Sequence, residues 1–215
     1  MKRILSAAFL WAWAASAALA QINAVPQVGL TTGYLAKTTY SSAFFGLVPV
    51  VTSGTDEVCI SGSATKVVRV QRITIWGTTA AAPQAVPLVL VRRVSADTGG
   101  TAATTTANPG VTTQIASRDT GQATNASATA VLISYTAAPT IVDTAPVYIE
   151  SQLLSMPIIT SVLGPTPADF NFEAWAEDNV GVLTLRGAAQ QVCVNNAAAL
   201  TNASAWNGTI TWTEE

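Results

Sequence analysis

The residues that could carry chemistry in this 215-residue chain are acids, hydroxyl-bearing residues and two cysteines, because the sequence contains no histidine. Histidine is the commonest general base and the commonest metal ligand in proteins. Its absence excludes Ser-His-Asp and Cys-His catalysis and every histidine-ligated zinc site. Any catalysis would have to rely on carboxylates or hydroxyl groups alone.

Two Asp-Thr-Gly tripeptides match the segment that carries the catalytic carboxylate of aspartic proteases. They begin at Asp97 and Asp119, and two carboxylates that share one proton are a working catalytic device. In that family, however, each aspartate follows an apolar strand and belongs to a separate lobe or subunit. Here both lie in one Thr- and Gly-rich segment, 22 residues apart. We therefore interpret the tripeptides as chance matches and predict no catalytic residues.

The other acids show no spacing that marks a metal or glycosidase site. Glu173, Glu177 and Asp178, with Asn179, lack the Asp-x-Asp-x-Asp-Gly order of a calcium loop, which favours an exposed turn. Two carboxylates would suffice for glycoside hydrolysis, but nothing indicates which two. We predict no metal site, no cofactor and no enzymatic activity.

The cysteines, Cys59 and Cys193, are the remaining candidates for covalent chemistry. In an exported protein such a pair indicates a disulfide. The bridge would close a loop of well over a hundred residues, which the chain-entropy model values at about 4–5 kcal/mol. The alternative is two separate buried thiols that pack as small hydrophobic groups. Each cysteine lies between apolar residues, which suits adjacent strands of one core in either case.

Export itself is predicted from residues 1–20, which have the layout of a signal peptide. Lys2-Arg3 forms a basic start, Ile4–Ala17 is apolar, and Ala18-Leu19-Ala20 supplies the small-x-small cleavage pattern. The alternative is an uncleaved membrane anchor, because the apolar stretch is borderline long enough to span a bilayer. With cleavage, a mature chain beginning at Gln21 would lie in the periplasm, on the cell surface or outside the cell, without membrane contact.

Composition argues against nucleic acid as a partner. Only 10% of the residues are charged, whereas apolar residues reach 49%, which favours collapse over disorder. Without residues 1–20 the chain has eight basic and twelve acidic side chains, a net charge of −4. Phosphate neutralisation therefore has no basic stripe to use.

Turn residues separate short β-branched and aromatic segments along the whole chain, and helical periodicity is rare. We predict an N-terminal arm or first strands over residues 21–50. Residues 51–215 would form one antiparallel β-sandwich of jelly-roll type with about 8–10 strands and a long loop over residues 95–127. The alternation in Lys66–Trp76 is imperfect, as at a β-bulge or in a two-sided strand. The predicted strands are Ala43–Val51, Glu57–Ser61, Lys66–Trp76, Val86–Val94, Ala130–Thr136, Val147–Leu154, Phe170–Ala176, Val180–Arg186, Gln191–Asn195 and Gly208–Thr213.

Tryptophans near these strands are candidates for ligand contact. Trp206 and Trp212 lie in or beside the last strand, and indole rings that face solvent can stack on sugars. We predict a ligand surface at these two residues, with burial in the core as the alternative.

Segments in matching order from Val51 onward carry a family resemblance. They are Ile60–Gly77, Leu90–Thr101, Ser134–Thr140, Leu183–Gln190 and Thr211–Glu215. Through them the chain resembles a family of small, largely uncharacterised all-β proteins of proteobacterial phages and prophages, which look like capsid-decoration or head-fibre-like virion components. The resemblance implies a scaffold that assembles or decorates, without catalytic residues. The export signal and the cysteine pair depart from this pattern, because capsid-associated proteins assemble in the cytoplasm.

Two functions follow as expectations. The first is a non-catalytic, phage virion-like structural protein that self-associates or decorates a larger surface. The alternative is an exported periplasmic or cell-surface binding module, with carbohydrate as a ligand of the loop at residues 95–127 or of the tryptophan faces.

Overall fold

The computed structural model describes residues 38–102, 116–117, 130–172 and 183–215, which form strands and irregular connections without a helix. Residues Thr38–Glu215 belong to one compact unit. The predicted signal peptide, most of the predicted N-terminal arm and much of the predicted loop at residues 95–127 lie outside the described residues.

The described residues form twelve strands. They are β1 (Thr38–Leu47), β2 (Thr55–Ser61), β3 (Val67–Thr79), β4 (Gln84–Arg93), β5 (Thr101–Ala102), β6 (Ala116–Ser117), β7 (Val131–Ala137), β8 (Val147–Met156), β9 (Ala168–Asn171), β10 (Leu183–Arg186), β11 (Gln191–Asn196) and β12 (Ser204–Glu214).

Two antiparallel sheets share these strands. The first has the order β10-β3-β12-β1-β6, and β9 also pairs with β3. β9 lies against Arg72–Ile75 and β10 against Val67–Val70, so the two short strands follow one another along the same edge of β3. The second sheet has the order β5-β7-β2-β11-β4-β8. Together they confirm the predicted all-β class and the antiparallel β-sandwich.

The hydrophobic core lies between the sheets and is built from alternate residues of each strand. On β3 the alternation changes phase between Val70 and Ile73, because Val70 pairs with Trp212 whereas Arg72 pairs with Thr211. Gln71 is the extra residue of a β-bulge, which confirms the predicted irregularity in this segment.

Trp206 and Trp212 are fully buried in this core, with 0% of either residue exposed. The ring of Trp212 stacks on that of Tyr40 with 5.7 Å between the centroids. Strand β12 is central in its sheet, between β3 and β1, and the two tryptophans occupy positions of β12 that face the other sheet. The prediction that they form a ligand surface is therefore wrong.

The first strand begins earlier than predicted. The sequence favoured Ala43–Val51, whereas β1 spans Thr38–Leu47. Tyr40, Ser42 and Phe44 alternate into the interior, so the Thr- and Ser-rich start of the strand belongs to the sheet. Gly46 has a φ of 64° near the point where the strand ends. Residues 173–176 and 180–182, which two other predicted strands included, lie outside the described residues.

Candidate functional site

Cys59 on β2 and Cys193 on β11 lie directly opposite one another, with 4.1 Å between their Cα atoms. Their sulfurs are joined, which confirms the predicted disulfide. The bridge links neighbouring strands in the interior of the second sheet, and neither cysteine is exposed.

The disulfide lies on the face of the second sheet that points away from the core. Val58 and Ile60 contact the core, whereas Cys59 packs in a separate small cluster with Cys193 and Tyr135. We call this side of the second sheet the outward face.

A β-bulge brings an acid to the outward face. Val58 pairs with Val194 and Asp56 pairs with Asn195, so Glu57 is the extra residue on β2. The bulge shifts the alternation by one position. Asp56 therefore points to the same side as Cys59 instead of into the core.

Arg93, at the end of β4, neutralises this buried acid. Its Nε donates to Oδ2 of Asp56, and its Nη2 donates to Oδ1 at 2.8 Å. Asn195 Nδ2 also donates to Oδ1, at 2.7 Å. Only 3% of the Arg93 side chain and 0% of the Asp56 side chain are exposed. A buried pair needs this bidentate geometry and the additional donor to offset the loss of hydration.

Asp97 adds a second carboxyl group to the same cluster. Its side chain is fully buried, and its Oδ1 lies 3.7 Å from Arg93 Nε but accepts no hydrogen bond from the described residues. Burial, the hydrogen bond with Asp56 and the charge of Asp56 raise the pKa of Asp97 to about 7, although Arg93 lowers it. Asp56 and Asp97 thus form a buried carboxyl pair with one guanidinium.

Two more ionisable groups surround the pair. Burial, followed by the charges of Asp97 and Asp56, raises the pKa of the Tyr135 hydroxyl to about 12. Asp143 accepts hydrogen bonds from the backbone N–H groups of Ala145 and Val94, at 2.9 and 2.8 Å, and these bonds lower its pKa.

The pair of carboxyl groups is not the one that the Asp-Thr-Gly tripeptides suggested. Asp97 belongs to the first tripeptide, but its partner is Asp56, and Asp119 lies outside the described residues. The buried pair and its bound guanidinium present no surface to a substrate. What the arrangement can do is hold a proton and a balanced charge inside the protein.

Four side chains here are close enough together to be considered as metal ligands. The oxygen and sulfur atoms of Asp56, Cys59, Asp97 and Cys193 lie within 4.8 Å of one another. Both sulfurs are bonded to each other, and Asp56 is bound by Arg93. The guanidinium therefore already occupies the place that a cation would take beside Asp56.

Glu57, the bulge residue, is a second buried acid near the disulfide. Its Oε2 accepts a hydrogen bond from the backbone N–H of Val50 at 2.9 Å, whereas its Oε1 accepts none from the described residues. Burial raises the pKa of Glu57 to about 8, and the hydrogen bond from Val50 opposes this shift.

A half-buried tryptophan lies on the solvent side of the first sheet. Trp76 pairs with Asn207 of β12, on the opposite side of the sheet from Trp206 and Trp212. On β3, Arg72 donates to both carboxylate oxygens of Asp169, at 2.8 and 2.7 Å. Trp76 was not one of the two tryptophans that were predicted to form the ligand surface, although it is more exposed than either of them.

Strand β8 forms an unusual edge. It has ten residues, whereas the other outermost strands of the described sheets have two or four. Glu150 is its only charged residue, and it lines a shallow groove with Val89, Tyr148, Ile149 and Ser151. Large apolar side chains are exposed along β8 and in the loop that follows it, namely Val147, Tyr148, Leu153, Ile159, Val162 and Leu163.

Within the described ranges, no helix has the length and apolar character needed to cross a membrane. Comparisons with protein-family models, with curated proteins and with solved structures found no match for this chain.

Proposed function

We propose that the protein is an exported, non-catalytic structural protein that self-associates, or decorates a larger assembly, through the edge formed by β8. The observation that carries this proposal is the combination of a ten-residue outer strand with exposed apolar side chains on it and beside it.

An outer strand presents unpaired backbone N–H and C=O groups, which can pair with a strand of another chain. Proteins prevent such pairing with short edge strands, lysines, prolines or bulges. The other outermost strands of the described sheets are short, as this rule expects. β8 contains no lysine, arginine or proline, and Tyr148 and Leu153 are exposed on it. A bulge at Ile149 and the backbone bonds between Ser155 and Thr166 interrupt its outer edge, so the pairing surface is the stretch between them. An edge of this kind favours assembly.

The order of strand pairing supports the jelly-roll class. β1 pairs with β12, β2 with β11, β3 with β10, and β4 with β8. The first strand thus pairs with the last, the second with the last but one and the third with β10, as in a long hairpin that is rolled into a sandwich. The fourth pairs with β8, because β9 pairs with β3. We infer that the sandwich is a jelly roll. Virus capsid proteins use this architecture, and so do lectins and cupins, so the architecture alone does not choose between them.

Two features support an extracytoplasmic location. The disulfide is of the kind that persists in oxidising compartments. Residues 1–20 have the sequence pattern of a signal peptide. We therefore place the assembly on the cell surface or outside the cell, and in a virion if the family resemblance extends to function.

The test is the mass of the mature chain, residues 21–215, by size-exclusion chromatography with light scattering over a wide concentration range. We expect oligomers, and we expect the substitution Leu153→Lys to dissociate them. The matched control is Val48→Lys, since Val48 is 61% exposed and Leu153 is 59% exposed, but Val48 follows β1 and is not part of β8. A protein that stays monomeric at all concentrations and associates with no particle would contradict the proposal.

Carbohydrate binding is a second candidate, and Trp76 is the residue that favours it. Its half-buried indole lies opposite Asn207 and on the same face of the first sheet as the Arg72–Asp169 pair, so this face combines an apolar ring with polar groups. A glycan array should give hits that Trp76→Ala abolishes and that Thr78→Ala, two residues further along the same face, retains. An array without hits would remove this candidate.

A further inference from the structure

We propose that residues 94–100, which we call the latch segment, close over the disulfide under the control of one proton. The segment stays closed while the carboxyl group of Asp97 is protonated, and it opens when Asp97 loses that proton. This inference is independent of the assembly function.

The disulfide is covered although it faces away from the core. Oδ2 of Asp97 lies 3.9 Å from the sulfur of Cys59, and Tyr135 packs in one cluster with the two cysteines. Both cysteines are fully buried, so a reductant can reach the sulfurs only if this cover moves.

The latch segment is held by a small number of polar contacts. The backbone N–H of Asp97 donates to Oε1 of Gln191 at 3.0 Å, and that of Val94 donates to Asp143. Thr98 and Thr140 exchange backbone hydrogen bonds of 3.0 and 2.7 Å. Gly99 and Gly100, both with positive φ, follow directly. A segment with so few attachments can open locally while the sheets stay intact.

The charges around Asp97 favour its protonated form in the closed state. Asp56 on β2 and Asp143 after β7 are acids, and Tyr135 on β7 is a buried hydroxyl. Arg93 on β4 is the positive group that faces them, and it is already bonded to both oxygens of Asp56. Gln191 on β11 accepts a hydrogen bond from the backbone N–H of Asp97. Gln191 donates no hydrogen bond to the carboxyl group of Asp97 among the described contacts. An ionised Asp97 would therefore be the third carboxylate around a single guanidinium.

The direction of the pH effect follows from this imbalance. The pKa of Asp97 is about 7 in the closed state, against an ordinary value of 3.8 in water. Between these values the closed state holds a proton that the open state releases, so opening becomes more favourable as the pH rises. The equilibrium constant for opening should grow by up to about tenfold per pH unit from about pH 4 to 7 and then level off.

The experiment measures how fast a water-soluble phosphine reduces the disulfide of the full mature chain at pH 5, 6, 7 and 8. The phosphine is oxidised to its oxide with an oxygen atom from water, the S–S bond breaks, and two thiols form. The rate at each pH is divided by the rate for a linear peptide disulfide. We expect this ratio to rise by at least about tenfold between pH 5 and 7 and to level off by about pH 8.

Variants assign the effect to Asp97. Asp97→Asn removes the ionisable group and keeps its shape, so the ratio should be independent of pH and no higher than the wild-type value at pH 5. Glu57→Gln is the matched control, because Glu57 is another buried acid with a raised pKa and lies two residues from Cys59. It should keep the wild-type profile. A flat wild-type profile, a pH dependence that survives Asp97→Asn, or one that Glu57→Gln abolishes would overturn the proposal.

A measurement without a variant guards against misfolding of Asp97→Asn. Hydrogen exchange of the Val94 and Asp97 amides in the wild-type protein, corrected for the intrinsic pH dependence, should show lower protection at pH 7 than at pH 5. Equal protection at both pH values would also overturn the latch.

Discussion

Gly208 of β12 and Phe44 of β1 are in such close contact that a Cβ atom built on Gly208 would lie 2.5 Å from Cζ of the phenyl ring. The same Cβ atom would lie 2.6 Å from the backbone oxygen of Thr74 on β3. The missing side chain therefore lets the ring of Phe44 fill the core at the centre of the first sheet.

The substitution Gly208→Ala should therefore destabilise the fold. The ring of Phe44 or the backbone of β3 would have to move, and overpacking of this kind costs about 1–3 kcal/mol. Urea unfolding measures the loss. Gly164→Ala is the control, because a Cβ atom there would meet no atom within 4 Å. Equal stability of the two variants would show that the core accommodates the extra methyl group.

Arg93→Met should destabilise the protein far more than Arg72→Met. Removing Arg93 leaves Asp56 buried without its cation, and breaking a buried pair in this way costs about 3–5 kcal/mol. Arg72 makes a bidentate pair with Asp169 as well, but both side chains are partly exposed, so its removal should cost at most about 1 kcal/mol.

Chemical unfolding at constant pH and salt compares the two arginine variants directly. Similar losses for both would mean that the burial of the Arg93–Asp56 pair carries no special cost.

Glu57→Gln should change how stability depends on pH. The pKa of Glu57 is raised to about 8 in the folded protein, so the folded state holds a proton that the unfolded state releases above the ordinary value of 4.5. Wild-type stability should therefore fall as the pH rises from about 5 to 8, by about 3 kcal/mol from this group.

The glutamine variant should lack this part of the decline. Unfolding free energies at pH 5, 6, 7 and 8 check it, and parallel curves for the wild type and Glu57→Gln would contradict the prediction.

The sequence pattern predicted most of the strands, because β-strand propensity and turn residues are local features. It predicted the disulfide with two separate buried thiols as the alternative, because the sequence alone does not show that the two cysteines lie opposite one another. It did not reveal which side of β12 faces the core. Alternation separates Trp76 from its neighbours on β3, and Trp206 and Trp212 from theirs on β12, but the side that becomes buried depends on where each strand lies in the sheets.

The cluster of Asp56, Arg93 and Asp97 could not be predicted from the sequence, for a different reason. Asp56 joins Arg93 only because Glu57 forms a bulge, and a shift of one residue reverses the face of every side chain beyond it. The remaining signal was weak: Asp56 and Arg93 are charged residues at the ends of apolar segments in a chain with few charges. Asp56 and Arg93 are 37 positions apart in the sequence, and β11 lies between their strands, β2 and β4, in the sheet.

The pairing of early strands with late ones has a consequence for biogenesis. β2 and β11 are bridged across 134 positions of sequence, and β1 lies beside β12, which ends at Glu214. A nascent chain that emerges N-terminus first therefore lacks a central strand of each sheet until β11 and β12 have been synthesised. It would stay unfolded until then, and the disulfide can form only afterwards. For the export proposed above, this unfolded state is the one that a secretion channel requires.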